Sequence, residues 1–209
     1  PVTGGHIRRV ANLTMELVET INSENDGRFK DISFGPGQMY ELKVAAWMHD
    51  IGKVTTPVEV VEKARKLQTI FDRILYIDLR MQYLIQNNRF EGSKRRMEEL
   101  EKGAAKEALD KLDQEINAKE ATLTDIRQFL NLCNSPGEFL EDAKVERLKA
   151  ISQMTYTDLD GKTHNFLDED ELINLSIRKG SITEKERKIM QHHAHVTLQM
   201  LEKIPFTKA

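Results

Sequence analysis

Only one cysteine, Cys133, occurs among the 209 residues. An intramolecular disulfide framework is therefore excluded, and a reducing compartment fits. No apolar run approaches the roughly 20 residues that a membrane-spanning helix needs, and no basic-then-apolar leader opens the chain. Neither sign of charge is in marked excess, with 31 Lys and Arg against 34 Asp and Glu. No general attraction to nucleic acid or to an anionic membrane follows, so any phosphate must be bound by a local site. Hydrophobic residues are also scarce, at 39%, while charged residues reach 31%. That imbalance predicts a compact part joined to something long, helical and solvated. These features together predict a cytoplasmic protein with no membrane contact from this chain and no DNA or RNA duplex as partner. The first residue is Pro1 rather than Met, which leads us to expect a piece of something longer.

Nearly all of the remaining pattern is helical. Ile7, Val10, Leu13, Leu17 and Ile21 follow the three-and-four spacing of an amphipathic helix from His6 to about Ser23. The segment Asn25 to Gly37 reads as a loop. A second helix from about Gln38 to Asp50 is expected to bury Leu42, Ala45 and Ala46, with Gly52 as a left-handed cap after it. Pro57 then opens a long segment. Ile70, Ile74, Ile77, Met81, Leu84 and Asn88 keep heptad spacing, as do Ala105, Leu109, Leu112, Ile116, Lys119, Leu123, Ile126 and Leu130. With Gly92 and Gly103 in the polar region between, the two stretches predict an antiparallel helical hairpin. Arms of about 30 residues would each be about 45 Å long. Asn134-Ser135-Pro136-Gly137 ends that helix, and a shorter one is expected over Leu140 to Met154. Asp160-Gly161 between Thr-rich flanks signals a β-hairpin turn within Tyr156 to Phe166. A calcium loop at Asp158 and Asp160 is rejected, since its glycine and glutamate fall out of register. Thr183 and Glu186 have the spacing of a capping box ahead of a run through Ile189, Val196 and Met200.

The chemistry lies in the histidines. His6 leads the stripe of the first helix, His49 continues that of the second, and His193 falls between Ile189 and Val196 on the last. Three imidazoles from three helices are thus expected to point into one core, with Asp50 beside His49. Unpaired buried imidazoles are costly, whereas neutral imidazole with a carboxylate suits divalent metals. His192 and His195 lie off the stripe and His164 lies in the turn, so these three are read as surface or second-layer residues. Lys53 returns a cation to the His49-Asp50 neighbourhood, where it can neutralise phosphate charge.

HDIGK at 49–53 is the signature of the HD superfamily of metal-dependent phosphohydrolases. TGGHIRRVANL at 3–13, ELKVAAWMHDIGKVTTPVEVVEKARKL at 41–67 and LSIRKGSITEKERKIMQHHAHVTLQMLEKIPF at 175–206 resemble its HD-GYP subfamily. The resemblance implies an all-α fold. It has an incomplete HD helical core at 1–67 and 171–209, interrupted by a helical insertion with a short β-hairpin at 68–170. It further implies two or three divalent metal ions, iron or manganese, and hydrolysis of cyclic di-GMP to the linear dinucleotide or GMP. By motif position His6, His49, Asp50 and His193 are metal ligands. Lys53 contacts the scissile phosphate, and Lys53 and Asp50 are the catalytic residues.

The chain departs from that pattern after residue 206. Two further histidines, the GYP loop and a last aspartate ligand are not in the sequence, and Val2 stands where some members have glutamate, which favours two metals over three. The 209 residues alone are therefore expected to bind metal weakly or not at all and to show no turnover. Two alternatives stand beside a fragment of an active phosphodiesterase: a degenerate HD signalling or interaction module, and an HD phosphohydrolase acting on another nucleotide. Long paired helices in signalling proteins also lead us to expect a homodimer through the hairpin.

Overall fold

The computed structural model describes residues 2–137 and 139–203, with side chains from residue 4 onward. The side chain of Val2 and the last residues of the 175–206 segment lie outside that range. The protein is mostly helical, with a single two-stranded sheet among the described residues. Among the same residues, no helix is long and apolar enough to cross a membrane. The chain divides into two compact units, Pro1–Glu62 with Glu184–Ala209, and Lys63–Thr183.

The first unit contains α1 (Val2–Ser23), α2 (Pro36–Met48), a 3-10 turn (Ile51–Thr55), α3 (Val58–Val61) and α8 (Glu184–Glu202). α1 packs on α2, while α8 packs on the 3-10 turn and on α3. Its buried lines differ from the expected stripes. On α1 the buried residues are Ala11 and Val18, while Leu13 and Leu17 are exposed. On α2 Ala46 alone is buried, Leu42 being half-buried and Ala45 exposed. The most deeply buried positions are thus Ala11 and Val18 on α1 and Ala46 on α2, with Ile7, Val10, Ile21 and Leu42 half-buried beside them. On α8 Ile189 is exposed, and the inward line runs through Met190, His193 and Thr197.

The second unit is built on the hairpin of α4 (Ile74–Glu101) and α5 (Lys106–Asn134). α6 (Asp142–Ser152), β1 (Thr155–Thr157), β2 (Thr163–Asn165) and α7 (Glu169–Leu175) complete it. The expected heptad positions Ile74, Ile77, Met81 and Leu84 of α4 are buried with Leu123, Ile126 and Leu130 of α5 in one core. α4 starts later than the pattern implied. Pro57 leads only into α3, and Ile70 is 92% exposed in the loop before α4. Gly92 is a buried residue of α4, not part of the connection. A Cβ there would lie 2.5 Å from Ile116 Cδ1, so its lack of side chain lets the two arms approach. The turn residue is Gly103, at φ 75°. Register is set by Asn88, whose Nδ2 donates to the Ile116 carbonyl at 3.0 Å. Ion pairs Arg89–Glu120, Arg96–Asp113 and Asp78–Arg127 flank the seam.

β1 and β2 pair antiparallel around the expected turn, with Gly161 at φ 81°. Asp158 Oδ1 accepts the backbone N–H groups of Asp160 and Lys162, and its Oδ2 meets His164 Nε2 at 2.6 Å. That carboxylate is therefore occupied by the turn itself. One capping box was not anticipated. Asp168 accepts from the Glu171 N–H at 2.6 Å, and Glu171 accepts from the Asp168 N–H at 3.0 Å, starting α7.

Candidate metal centre

Four elements of the first unit bring the candidate ligands to one carboxylate. α1 supplies His6, the end of α2 supplies His49 and then Asp50, the 3-10 turn supplies Lys53, and α8 supplies His193. His6 Nε2 lies 3.8 Å and His49 Nε2 3.1 Å from Asp50 Oδ2, while His193 Nε2 lies 3.3 Å from Oδ1. Lys53 Nζ donates to Oδ2 at 2.5 Å. Ligand atoms of His6, His49 and Asp50 all fall within 4.8 Å of one another, a spacing that suits a shared metal ion. His193 faces the other carboxylate oxygen, so Asp50 presents its two oxygens to different imidazoles.

The cluster is a rim rather than the buried core expected from the helical stripes. The His6 and His49 side chains are 47% and 35% exposed and His193 is 19% exposed, whereas Asp50 is 8% exposed. His6 and His49 stand near the ends of their helices, where fewer neighbours cover them. His192 and His195 are exposed on α8 away from Asp50, and His164 belongs to the β-hairpin of the other unit.

Hydrogen bonds orient two of the imidazoles. His49 Nδ1 meets the Ala46 carbonyl at 2.8 Å, and His193 Nδ1 meets the Met190 carbonyl. A carbonyl only accepts, so Nδ1 carries the proton in both rings, and in the neutral form Nε2 is left as a lone pair. Each lone pair then faces a carboxylate oxygen, an arrangement of two acceptors that repels unless a cation lies between them or the ring is protonated. This donor set fits a divalent metal, with Nδ1 anchored to backbone in the manner that fixes metal-binding histidines. Burial by itself would raise the Asp50 pKa. The hydrogen bond and charge of Lys53, followed by His49 and His193, outweigh it and hold the carboxyl below its usual range.

Gly52 acts differently from the cap expected of it. It lies inside the 3-10 turn and is buried, and a Cβ would overlap the His193 carbonyl and approach Thr197 Oγ1 to 2.6 Å. Its N–H donates to Thr197 Oγ1 at 2.9 Å. Glycine is thus required for α8 to lie directly on the HDIGK turn. Thr197, one turn after His193, escaped the sequence reading. Its only signal was a polar residue on the inward line of α8.

Beside Asp50 and Lys53 opens a cleft of about 450 Å³ whose other walls include Ile7, Val54, Val58 and Glu62.

A family model, the HD domain, matches residues 3–128. The chain belongs to the HD domain family. Searches of curated proteins and of solved structures found no match. The matched span of the HD domain contains His6, His49, Asp50 and Lys53 but not His193, which the fold of α8 brings to the same carboxylate. Membership in the HD domain family points to metal-dependent phosphohydrolase activity and divalent metal binding.

Proposed function

We propose that this HD domain protein belongs to the HD-GYP type and is a metal-dependent phosphodiesterase that hydrolyses cyclic di-GMP to the linear dinucleotide or GMP. The observation that carries the metal-dependent part is the convergence of His6, His49 and His193 Nε2 atoms on the two oxygens of Asp50. His6, His49, Asp50 and His193 would hold two divalent cations, iron or manganese. Cations held there supply Lewis acidity, activating water near neutral pH and drawing charge from a phosphoryl oxygen. Lys53 lines the cleft beside Asp50 and is the group placed to take a non-bridging phosphate oxygen. The three segments resembling HD-GYP proteins support the choice of substrate, and the single cysteine, Cys133, agrees with work in the cytoplasm.

Four protein donors leave two cations largely to water, so weak or absent metal binding and no turnover are expected of these 209 residues. Ligand binding therefore makes the sharper test. With Mn²⁺ present, cyclic di-GMP should bind in preference to other nucleotides. Binding should require the metal, disappear in Asp50→Asn and weaken in Lys53→Met. Preference for a different nucleotide, or binding indifferent to both substitutions, would overturn the reading.

A further inference from the structure

The seam between α4 and α5 is polar on both sides at one level. Along α5 the heptad line runs Leu109, Leu112, Ile116, Lys119, Leu123 and Ile126, and Lys119 alone is not apolar. On α4 the line reaches Asn88, whose Nδ2 is already spent on the Ile116 carbonyl. The seam does not close there. A cavity of about 240 Å³ opens instead, with Asn88 and Lys119 in its lining and its walls wholly within the second unit. Leu84 and Leu123, both buried, form an apolar floor. Tyr156 of β1 and Phe166, just after β2, add an aromatic wall. Tyr156 meets Phe166 edge-on at 6.0 Å between ring centroids and stacks on His164 at 5.5 Å, so its ring is held in place. Asn87 and Lys119 supply the spare polar groups, since neither side chain has a hydrogen bond or ion pair among the described residues.

We propose that this cavity is a binding site for a small aromatic carboxylate, with its ring against Tyr156 and Phe166 and its acid group on Lys119 and Asn87. Size sets the first limit. Pockets for drug-sized ligands run to about 300–1,000 Å³, so this smaller one suits a single ring bearing one acidic group. Charge sets the second. Lys119 is the one charged residue among the described lining residues, and it balances a single negative charge. A doubly charged phosphate would leave a charge uncompensated over an apolar floor. The adjoining cavity along the seam shares Asn87, Asn88 and Lys119 but places Glu91 and Glu115 beside Arg95. Those carboxylates turn an anion toward the β-hairpin side. Leucine at position 119 would extend the apolar seam and fill the gap, so the lysine favours a ligand at the expense of hairpin stability.

Amide NMR titration of the full chain with benzoate, without added metal, tests the site. Benzoate should give saturable shifts at β1 and around Lys119. Benzyl alcohol keeps the ring without the charge, and cyclohexanecarboxylate keeps the charge without the aromatic ring; each should bind about tenfold more weakly. Lys119→Met should lower benzoate affinity by a similar factor while leaving benzyl alcohol unaffected. Lys119 is exposed, so the fold survives its replacement. Lys119→Leu should abolish benzoate binding and raise the melting temperature, because the side chain occupies the gap. The proposal is overturned by the absence of saturable shifts at millimolar benzoate, or by benzoate binding no better than benzyl alcohol. Equal benzoate affinity in Lys119→Met would overturn it too, as would a lower melting temperature in Lys119→Leu.

Discussion

Gly52 and Thr197 form the joint that carries His193 to Asp50: the Gly52 N–H donates to the Thr197 hydroxyl at 2.9 Å, inside the space a Cβ would fill. The contact spans 145 residues of sequence. The HDIGK turn thus has a role in assembly beside its candidate role in ligation, since its glycine is what allows the distant helix to lie against it.

Gly52→Ala should push α8 away from the turn. Overpacking of this kind costs about 1–3 kcal/mol, and displacement of His193 should weaken Mn²⁺ binding beyond the loss of stability. Thr197→Val leaves the buried Gly52 N–H unpaired, at about 1–3 kcal/mol, with no new overlap. Chemical denaturation with calorimetric Mn²⁺ titration separates the two effects. Equal metal affinity in Gly52→Ala and the unchanged protein would show that the joint does not position His193.

Asp50→Asn keeps the shape of the side chain and removes the charge that faces three imidazoles and Lys53. Mn²⁺ should no longer raise the melting temperature, because a ligand stabilises only in proportion to its binding to the folded state. Differential scanning calorimetry with and without Mn²⁺ reads this directly. A shift as large as in the unchanged protein would remove Asp50 from the ligand set.

The Asp78–Arg127 pair predicts a pH dependence away from the site. The Arg127 hydrogen bond lowers the Asp78 pKa more than burial raises it, with Asn131 and the Arg127 charge adding to the lowering. A depressed folded-state pKa means that the unfolded chain takes up the proton first as pH falls. The stabilisation is therefore complete above the unfolded pKa, about 4, and is lost as pH falls through the lower folded value. Asp78→Asn should cost about 0.5–1 kcal/mol at pH 7, and the difference from the unchanged chain should vanish in strong acid. Urea denaturation across pH measures it, and a difference that persists at the lowest pH would assign the effect to packing.

Arg80 makes two hydrogen bonds to Glu171, at 2.9 and 3.1 Å, and both side chains are largely buried. Arg80→Leu strands a buried carboxylate and should cost about 3–5 kcal/mol. Adding Glu171→Gln removes the stranded charge while keeping an acceptor for the Asp168 N–H, and should recover part of that loss. Independent, additive effects in denaturation would show that the pair is not coupled.

Local pattern alone made the hairpin legible: Ile77, Met81 and Leu84 lie where the heptad places them, because packed helical arms leave a periodic trace in one continuous segment. The β-turn at Asp160-Gly161 was legible for the same reason, since φ above zero restricts the residue type at a single position. His6, His49, Asp50, Lys53 and His193 were also legible as a candidate set, and the fold brings the other four side chains to Asp50. Tertiary structure decided which faces are buried in the first unit, where Ala11 and Val18 rather than Leu13 and Leu17 of α1 point inward. It decided that Gly52 serves close approach rather than a left-handed turn, that Thr197 holds the joint, and that the three imidazoles line an open rim around Asp50. Those properties depend on how helices distant in sequence are rotated and seated against one another, and no local periodicity records that rotation.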